Sequence, residues 1–433
     1  MSSRVGIWVG ETFAETHALN QKGQVVLNDR WFQSKKTLFD GLKAAIEATK
    51  SADGEVFLVS SRGESLVERR RGSTPTVLTT AGFETSLMIE ERGPQRPTLR
   101  TSRPSSVISA DRLFGISESI DASGAVEKPL KTEELEFLKA KLELLKSREI
   151  AIRFMHSEKN PVHEKQAAEF FRNLGFKVFT QHEHSRPVQR AYIEHIMHEE
   201  LDALKKAAAE AFPGWSIRLW SDSGILTEWT TYASALGGKS KALSRSIAKT
   251  GSVAFFGLEE FSLFKGNGGA QVLPVQPTCQ IGNSALPFPS WTDIDRGYEP
   301  GPMLLGKSHQ LSLLDVLFVQ KNLASGIEGF SDRIQERSQP RILEALFTLG
   351  KSLAEPGRKT VDPLDIASDL EHSAGERLAT ALRMEFKNNA KIRIAGPLAS
   401  SIEKLLKTAR PQWNFEIESI GSVAEAAIQG ATS

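Results

Sequence analysis

The stretch RVGIWVGETFAET, residues 4–16, contains two runs of alternating, partly β-branched residues on either side of Gly10. This pattern predicts two strands joined by a tight turn. Gly10 and Thr12 are residue types that let a turn grip phosphate, because glycine admits close backbone N–H groups and threonine adds a hydroxyl donor. Trp8, however, stands where such a turn has an aspartate that holds magnesium through water. The stretch therefore predicts a phosphate-binding hairpin whose metal ligand is replaced.

The remainder of the chain alternates helices and strands. From about Pro129 helix–strand units repeat, which implies parallel strands joined by right-handed crossovers. The run GSVAFFGLEEFSLFKGNGG, residues 251–269, predicts a second hairpin. Two hairpin-led halves predict an α/β protein with a duplicated architecture, which we divide into domains 1–185 and 186–433. The Pro- and Gly-rich segment 276–310 has no clear pattern.

Composition and charge exclude several classes of protein. The chain has 433 residues, with 54 Lys and Arg against 53 Asp and Glu, and a net charge of +1. This balance gives no electrostatic basis for binding nucleic acid or an anionic membrane. The single cysteine, Cys279, excludes an internal disulfide and a multi-thiolate zinc site. Because there is no signal-peptide pattern and no apolar run of the roughly 18 residues that a membrane span needs, we expect a cytoplasmic protein.

Five segments between residues 5 and 185 follow, in order, the motifs of one family. The first is close to V-G-I-D-x-G-G-T-F-T-D and the last to F-L-H-S-Y-x-N-P-x-H-E. The segments are VGIWVGETFAE, GESLVERRRG, TTAGFETSLMI, ESIDASGAVEKPL and AIRFMHSEKNPVHE. The chain thus resembles the hydantoinase A/oxoprolinase family, whose members hydrolyse cyclic amides or carboxylate ketones with ATP, usually beside a hydantoinase B-type subunit. Weaker matches follow in LWSDSGIL, RGYEPGPMLLG and IRIAGPLASSIEKLL.

The resemblance implies the actin-like ATPase fold, in which each half carries a phosphate-binding hairpin with a magnesium aspartate. In the first hairpin Gly10, Thr12 and Phe13 follow the family pattern, but Trp8 replaces the aspartate and Glu11 replaces a glycine. A Glu11 carboxylate about 4 Å from a phosphate oxygen would cost roughly 4 kcal/mol at an effective dielectric constant of 20. An indole cannot hold magnesium.

The second hairpin departs further from the family pattern. Val253 aligns with its aspartate, and Phe255 and Phe256 align with its glycines, so that the pair would fill the space of a phosphate. We interpret this hairpin as a hydrophobic one that packs into the core. The residues that the resemblance still implies at a vestigial nucleotide cleft are Gly10, Thr12, Glu15, Ser221, Asp222 and Gly396. For Ser221, Asp222 and Gly396, ordinary turns at strand ends are the alternative interpretation.

The segment MHSEKNPVHE carries a candidate metal site made of His156, His163 and Glu164. Two imidazoles and a carboxylate suit zinc or manganese if the loop folds back. In the alternative interpretation, His156 and Asn160 tie the loop together, and Glu164 favours the N-terminus of the following helix. No catalytic nucleophile is assigned, and Cys279 is interpreted as a lone buried thiol.

Three functions follow from these observations. The first is a pseudo-ATPase without a cofactor, which serves as a structural or regulatory subunit beside a hydantoinase B-type or intact A-type partner. The second is an active ATP- and magnesium-dependent amide hydrolase or ketone carboxylase subunit that uses Thr12, Glu15, Glu259 or Glu260, and Gly396. The third is a sensor that binds a small ligand in the vestigial nucleotide cleft without hydrolysing it. Loss of both magnesium aspartates favours the first.

Overall fold

The computed structural model describes residues 2–10, 13–33, 36–68, 71–84, 108–146, 148–184, 186–227, 229, 231–247, 252–257, 261–264, 270–272, 278–281, 284–287, 313–321, 332–353, 362–386 and 391–432. The chain divides into two compact units. Unit 1 comprises Met1–Ser61, Leu204–Glu228 and Gly237–Ser433, and unit 2 comprises Arg62–Ala203 and Trp229–Leu236. No helix within the described ranges is long and apolar enough to cross a membrane.

The secondary structure alternates along the chain as the sequence predicts. The strands are β1 Ser3–Val9, β2 Phe13–Leu19, β3 Val25–Phe32, β4 Gly54–Ser60, β5 Thr76–Thr80, β6 Leu113–Ile116, β7 Ser119–Ile120, β8 Val126–Lys128, β9 Glu149–Arg153, β10 Lys177–Thr180, β11 Trp215–Ser221, β12 Gly224–Leu226, β13 Val253–Phe256, β14 Phe261–Phe264, β15 Ala270–Val272, β16 Thr278–Ile281, β17 Ser284–Pro287, β18 Ile392–Ala395 and β19 Phe415–Ile417. The helices are α1 Leu38–Thr49, α2 Arg62–Glu68, α3 Thr132–Leu144, α4 Val162–Asn173, α5 Pro187–Ala211, α6 Gly238–Ile247, α7 Leu313–Val319, α8 Asp332–Leu353, α9 Pro363–Glu385, α10 Ala399–Ala409 and α11 Val423–Thr432. Short 3-10 helices cover Ala110–Arg112 and Tyr232–Ala235.

The first sheet of unit 1 has six strands in the order β12-β11-β4-β1-β2-β3. The predicted first hairpin is confirmed, because β1 and β2 pair antiparallel, and β3 extends it by pairing antiparallel with β2. Strand β4 pairs parallel with both β1 and β11, which places β1 in the middle of the sheet. A central strand is covered on both faces, and accordingly the neighbours Ile7 and Trp8, which point to opposite faces, are both buried.

Helix α11 packs directly on the first strand. A Cβ atom added to Gly6 would lie 1.9 Å from the carbonyl oxygen of Ala424, so that only glycine permits this approach. The contact joins the C-terminal helix of the chain to its first strand.

The second sheet of unit 1 has the order β15-β14-β13-β18-β19. The predicted second hairpin is confirmed, since β13 and β14 pair antiparallel with Val253 opposite Phe264. Side chains from both sheets, among them Phe57, Trp220 and Phe255, belong to one hydrophobic cluster. The two hairpin-led halves of the sequence therefore share one core within unit 1.

Unit 2 contains a parallel sheet in the order β10-β9-β5-β6 and a small antiparallel pair, β7-β8. The predicted helix–strand repeats are confirmed here. Helices α3 and α4 bury apolar residues at helical spacing against the sheet, and these are Leu135, Leu138, Leu142, Ala167, Ala168 and Phe171.

The two compact units do not follow the single boundary placed after residue 185. The first 61 residues group with the C-terminal half, because β1 pairs with β4, β4 pairs with β11, and α11 packs on β1. Residues 62–203 are thus an insertion between strands of one sheet. Sequence patterns show where elements lie, but they do not show which distant strand completes a sheet.

Candidate functional site

The carboxyl ends of three parallel strands meet at one edge of the six-stranded sheet. Val9 pairs with Ser60, and Leu219 pairs with Leu58, so that β1, β4 and β11 end side by side. In open α/β sheets, ligands bind outside this edge. Gly10, Ser61 and the turn at Ser221 and Asp222 all lie at these strand ends.

Trp8 occupies the position of the metal aspartate and is almost completely buried, with 1% of its surface exposed. Its Nε1–H donates a hydrogen bond to Oγ of Ser61 at 2.8 Å. The ammonium of Lys239, a buried residue at the start of α6, lies 5.3 Å from the centre of the indole ring. A cation at this distance from the face of an indole is electrostatically favoured. The place expected for a carboxylate and a metal ion thus holds an indole beside a buried positive charge.

Gly10 closes the hairpin through its own backbone. Its N–H donates to the carbonyl of Phe13 at 2.9 Å, and its carbonyl accepts from Nε2 of Gln33 at 2.6 Å. The N–H of Gly10 is therefore engaged within the hairpin in this arrangement. Thr12 and Glu11 lie outside the described residues, so that the interpretation of both stays a prediction.

Glu15 lies in a buried ion pair rather than at the turn. Its Oε1 accepts from Nε of Arg30 at 3.2 Å, and its Oε2 accepts from the backbone N–H of Val423 at 2.9 Å. Arg30 also donates to the carbonyl of Gly421 at 2.8 Å. Burial raises the pKa of the Glu15 carboxyl, and the nearby Arg30 opposes this shift. Glu15 thus holds the N-terminus of α11, a position where a helix favours an acceptor.

The second hairpin is apolar at every position where phosphate binding is expected. Val253, Phe255 and Phe256 are all fully buried in the core of unit 1. This confirms the interpretation of a hydrophobic hairpin. The turn residues Glu259 and Glu260 lie outside the described part of the chain.

Gly396 lies directly against the end of β13. It has φ +100°, and an added Cβ would lie 2.6 Å from the carbonyl oxygen of Phe256. Its N–H donates to the carbonyl of Ile420 at 2.9 Å, and the N–H of Leu398 donates to Phe256 at 3.3 Å. These contacts describe a strand–helix turn that requires glycine, with Gly396 packed against backbone.

Ser221 closes the turn between β11 and β12. Its hydroxyl donates to the carbonyl of Gly224 at 2.9 Å and lies 2.8 Å from Oγ of Ser223. Asp222 is half-buried against Gly237, where an added Cβ would approach Cβ of Asp222 to 2.8 Å. The Ser221 hydroxyl thus contributes to closing this turn.

The three residues of the candidate metal site do not come together as ligands. Nδ1 of His163 is 2.7 Å from Oε2 of Glu118, and Glu164 accepts from the N–H groups of Phe154 and His182 at 3.3 and 3.0 Å. Nδ1 of His156 instead lies 3.9 Å from Oε1 of the exposed Glu158. Among the residues that the structure describes, no group of three potential ligands can hold a metal ion. Both oxygens of the Glu164 carboxylate accept backbone hydrogen bonds.

The sequence did not identify three residues that contact the candidate site residues, namely Ser61, Lys239 and Glu118. All three lie far along the chain from the residues they contact. Ser61 and Lys239 fall outside the motif segments, and Glu118 begins the segment ESIDASGAVEKPL without a role assigned to it. Only the buried strand before Ser61 and the paired glycines before Lys239 hint at a close approach there.

Two solved structures share the architecture over nearly the whole chain. Nucleotide-free acetone carboxylase aligns with a TM-score of 0.66 and 13% identity over 100% of this chain and 70% of that one. The ATP-dependent caprolactamase from Pseudomonas jessenii aligns with a TM-score of 0.67 and 17% identity, over 98% of this chain and 70% of that one. The mixed α/β chain therefore shares the fold of these two proteins, and the predicted fold class is confirmed.

Sequence comparison then gives a family match over part of the chain. Residues 4–175 match the family model of the hydantoinase/oxoprolinase N-terminal region. An uncharacterized protein of Methanocaldococcus jannaschii is 28% identical over 184 residues, which are 40% of this chain and 27% of that protein. The acetophenone carboxylase gamma subunit of Aromatoleum aromaticum is 28% identical over 197 residues, 38% of this chain and 26% of that subunit. The matches span about a quarter of these two relatives.

Proposed function

We propose that this chain is a pseudo-ATPase of the hydantoinase/oxoprolinase family that serves as a structural or regulatory subunit of a larger complex. The observation that carries the proposal is the arrangement of Trp8, Ser61 and Lys239 at the carboxyl edge of the six-stranded sheet. An indole fills the position of the metal ligand, its N–H is bonded to Ser61, and an ammonium lies over its face.

Electrostatics at this position opposes a metal ion. A divalent cation about 5 Å from the Lys239 ammonium would be repelled by roughly 6 to 7 kcal/mol at an effective dielectric constant of 20. Trp8 replaces the aspartate whose charge would offset this repulsion. We therefore infer that ATP and magnesium are not cofactors of this chain.

The active alternative needs Glu15 to replace the aspartate as a ligand of metal-bound water. Both oxygens of Glu15 accept from buried donors, Arg30 and Val423. Freeing the carboxylate would leave the Arg30 guanidinium buried beside an empty position, which is costly. The second hairpin adds to the argument, because the side chains of Phe255 and Phe256 are fully buried in the core of unit 1.

Similarity to subunits of known complexes supports a partner. One relative is named as the gamma subunit of acetophenone carboxylase. We propose that this chain associates with a hydantoinase B-type subunit or with an intact A-type subunit. Co-expression with the product of the neighbouring reading frame, followed by light scattering, checks this association. A chain that remains monomeric with each such product would contradict the subunit role.

Isothermal calorimetry with ATP, in magnesium and in EDTA, tests the loss of nucleotide binding. The ATP-dependent caprolactamase is the positive control in the same buffers. We expect no heat of binding for this chain up to millimolar ATP in either buffer. Lys239→Met serves as a matched variant that removes the ammonium without restoring a carboxylate, and it too should show no binding. Magnesium-dependent micromolar affinity in the natural chain would overturn the proposal.

A further inference from the structure

A buried polar cluster in unit 2 has no part in the proposed function. Thr80 is the last residue of β5, Glu118 lies two residues after the end of β6, and His163 lies in the first turn of α4. The Thr80 hydroxyl donates to Oε1 of Glu118, and Nδ1 of His163 is 2.7 Å from Oε2 of the same carboxylate. All three side chains are buried.

The hydrogen bonds of this cluster fix the tautomer of the imidazole. The backbone N–H of Met155 donates to Oγ1 of Thr80 at 2.9 Å, so that the hydroxyl hydrogen is left to point at Glu118. A carboxylate only accepts, and Nδ1 of His163 must therefore carry the hydrogen of the second contact. In a neutral imidazole the other nitrogen, Nε2, then carries a lone pair. No described residue is hydrogen-bonded to Nε2, and 4% of the side chain reaches the surface.

The cluster lies at the position in the sheet where ligands bind. The chain leaves β5 towards β6 on one side and leaves β9 towards β10 on the other. Strands β5 and β9 are neighbours, so that a topological switch point lies between their carboxyl ends. Thr80 ends β5, and Met155 and His156 follow β9 at this point.

The backbone after β9 has an uncommon conformation. His156 has φ +59°, in the left-handed region that is sparsely used by residues other than glycine. Its carbonyl accepts from the N–H groups of Lys159 and Asn160 at 3.0 and 3.1 Å. This turn holds the Met155 N–H against Thr80. Strained conformations of this kind cluster at ligand sites.

We propose that unit 2 carries a second ligand site at this switch point, in which Nε2 of His163 accepts a hydrogen bond from a small N–H or O–H donor. Glu118 has no lysine or arginine among its partners in the described chain, so that its charge disfavours an anionic ligand. The ligand class is therefore a neutral donor such as a primary amide or an alcohol. The site does not depend on whether unit 1 binds a nucleotide.

Two small amides probe the site, acetamide as a donor and N,N-dimethylacetamide as a matched molecule without an N–H group. Ligand-observed saturation-transfer NMR on the full chain gives the affinities, and the ¹⁵N shift of the His163 side chain gives the location. We expect acetamide to bind about tenfold more tightly, the effect of one hydrogen bond. We also expect it to shift the Nε2 resonance of His163 and to leave that of the exposed His182 unchanged.

His163→Asn is the first test variant, because the amide nitrogen of asparagine can keep the contact to Glu118 while the Nε2 acceptor is lost. It should abolish the preference for acetamide, and His182→Gln should keep it. Glu118→Gln reverses the direction of the hydrogen bond to His163. The glutamine oxygen accepts from Thr80, and its NH₂ group donates to Nδ1 of His163. Nε2 of His163 then carries the hydrogen of the neutral imidazole. This variant should bind N,N-dimethylacetamide more tightly than the natural chain does, which a steric preference would not produce.

Several results would overturn the site. These are no saturable binding of acetamide, equal affinity for both amides in the natural chain, an Nε2 that carries hydrogen in the natural chain, or an unchanged preference in His163→Asn. If Glu118→Gln fails to fold, comparing the natural chain with His163→Asn and His182→Gln is sufficient to test the proposed site.

Discussion

Replacing Glu15 tests whether its carboxylate stabilises the fold as a hydrogen-bond acceptor or is available as a ligand of metal-bound water. Its two oxygens accept from Arg30 and from the N–H of Val423, all within a buried contact between β2, β3 and α11. Glu15→Ala removes both acceptors and leaves the buried Arg30 guanidinium without its carboxylate, which costs about 3–5 kcal/mol of unfolding free energy. Glu15→Gln keeps one acceptor and turns an NH₂ towards the other donor, which costs about 1–3 kcal/mol.

Urea unfolding followed by tryptophan fluorescence measures both changes. The control is Glu416→Gln, which breaks an exposed ion pair with Lys391 and should change stability by less than about 1 kcal/mol. If Glu15→Ala costs no more than this control, the buried contact does not stabilise unit 1 as described. In that case Glu15 would again be available for the active alternative.

Three further substitutions have defined outcomes. Trp8→Phe should lower the free energy of unfolding by about 1–3 kcal/mol, because a hydroxyl loses its donor and the smaller ring leaves a gap; an unchanged urea midpoint would contradict this. Gly6→Ala should destabilise unit 1 or prevent its folding, since the new methyl group would overlap the Ala424 carbonyl; a normal melting temperature would show that α11 does not approach β1 so closely. Burial lowers the pKa of His17 below its ordinary value of 6.5, with Glu425 opposing the shift, so that the unfolded chain binds the proton more readily. Stability should therefore fall as the pH drops through about 6.5, and the difference between the natural chain and His17→Gln should show this loss; a difference that is constant with pH would refute it.

The fold could be predicted from the sequence to the extent that local pattern and motif spacing specify it. Alternation around Gly10 predicts the first hairpin, and the apolar run at Phe255 and Phe256 predicts a buried second one. Both depend on neighbours within a few residues, where period and turn chemistry are informative. The division into two compact units could not be predicted in this way, because the pairing of β4 with β11 joins residues more than 150 positions apart.

The candidate site was predicted only in part for the same reason. Motif spacing identifies Trp8 as a replaced aspartate, but nothing near it in sequence indicates that Ser61 and Lys239 surround it. Glu15 aligns with a polar family position, and its role at the start of α11 depends on Val423, 408 positions away. Chemistry at a residue can be read from its type, whereas its partners are set by tertiary structure.

The loss of the metal–nucleotide site is tested most directly with manganese in place of magnesium. Mn²⁺ binds ATP in solution, and the complex relaxes water protons more strongly once it is held by a protein. We expect no enhancement of water relaxation when this chain is added to Mn–ATP up to millimolar concentration, because the proposal has Trp8 in place of the metal aspartate and the Lys239 ammonium 5.3 Å from the centre of its ring. A saturable enhancement that excess magnesium–ATP reverses would contradict the pseudo-ATPase proposal.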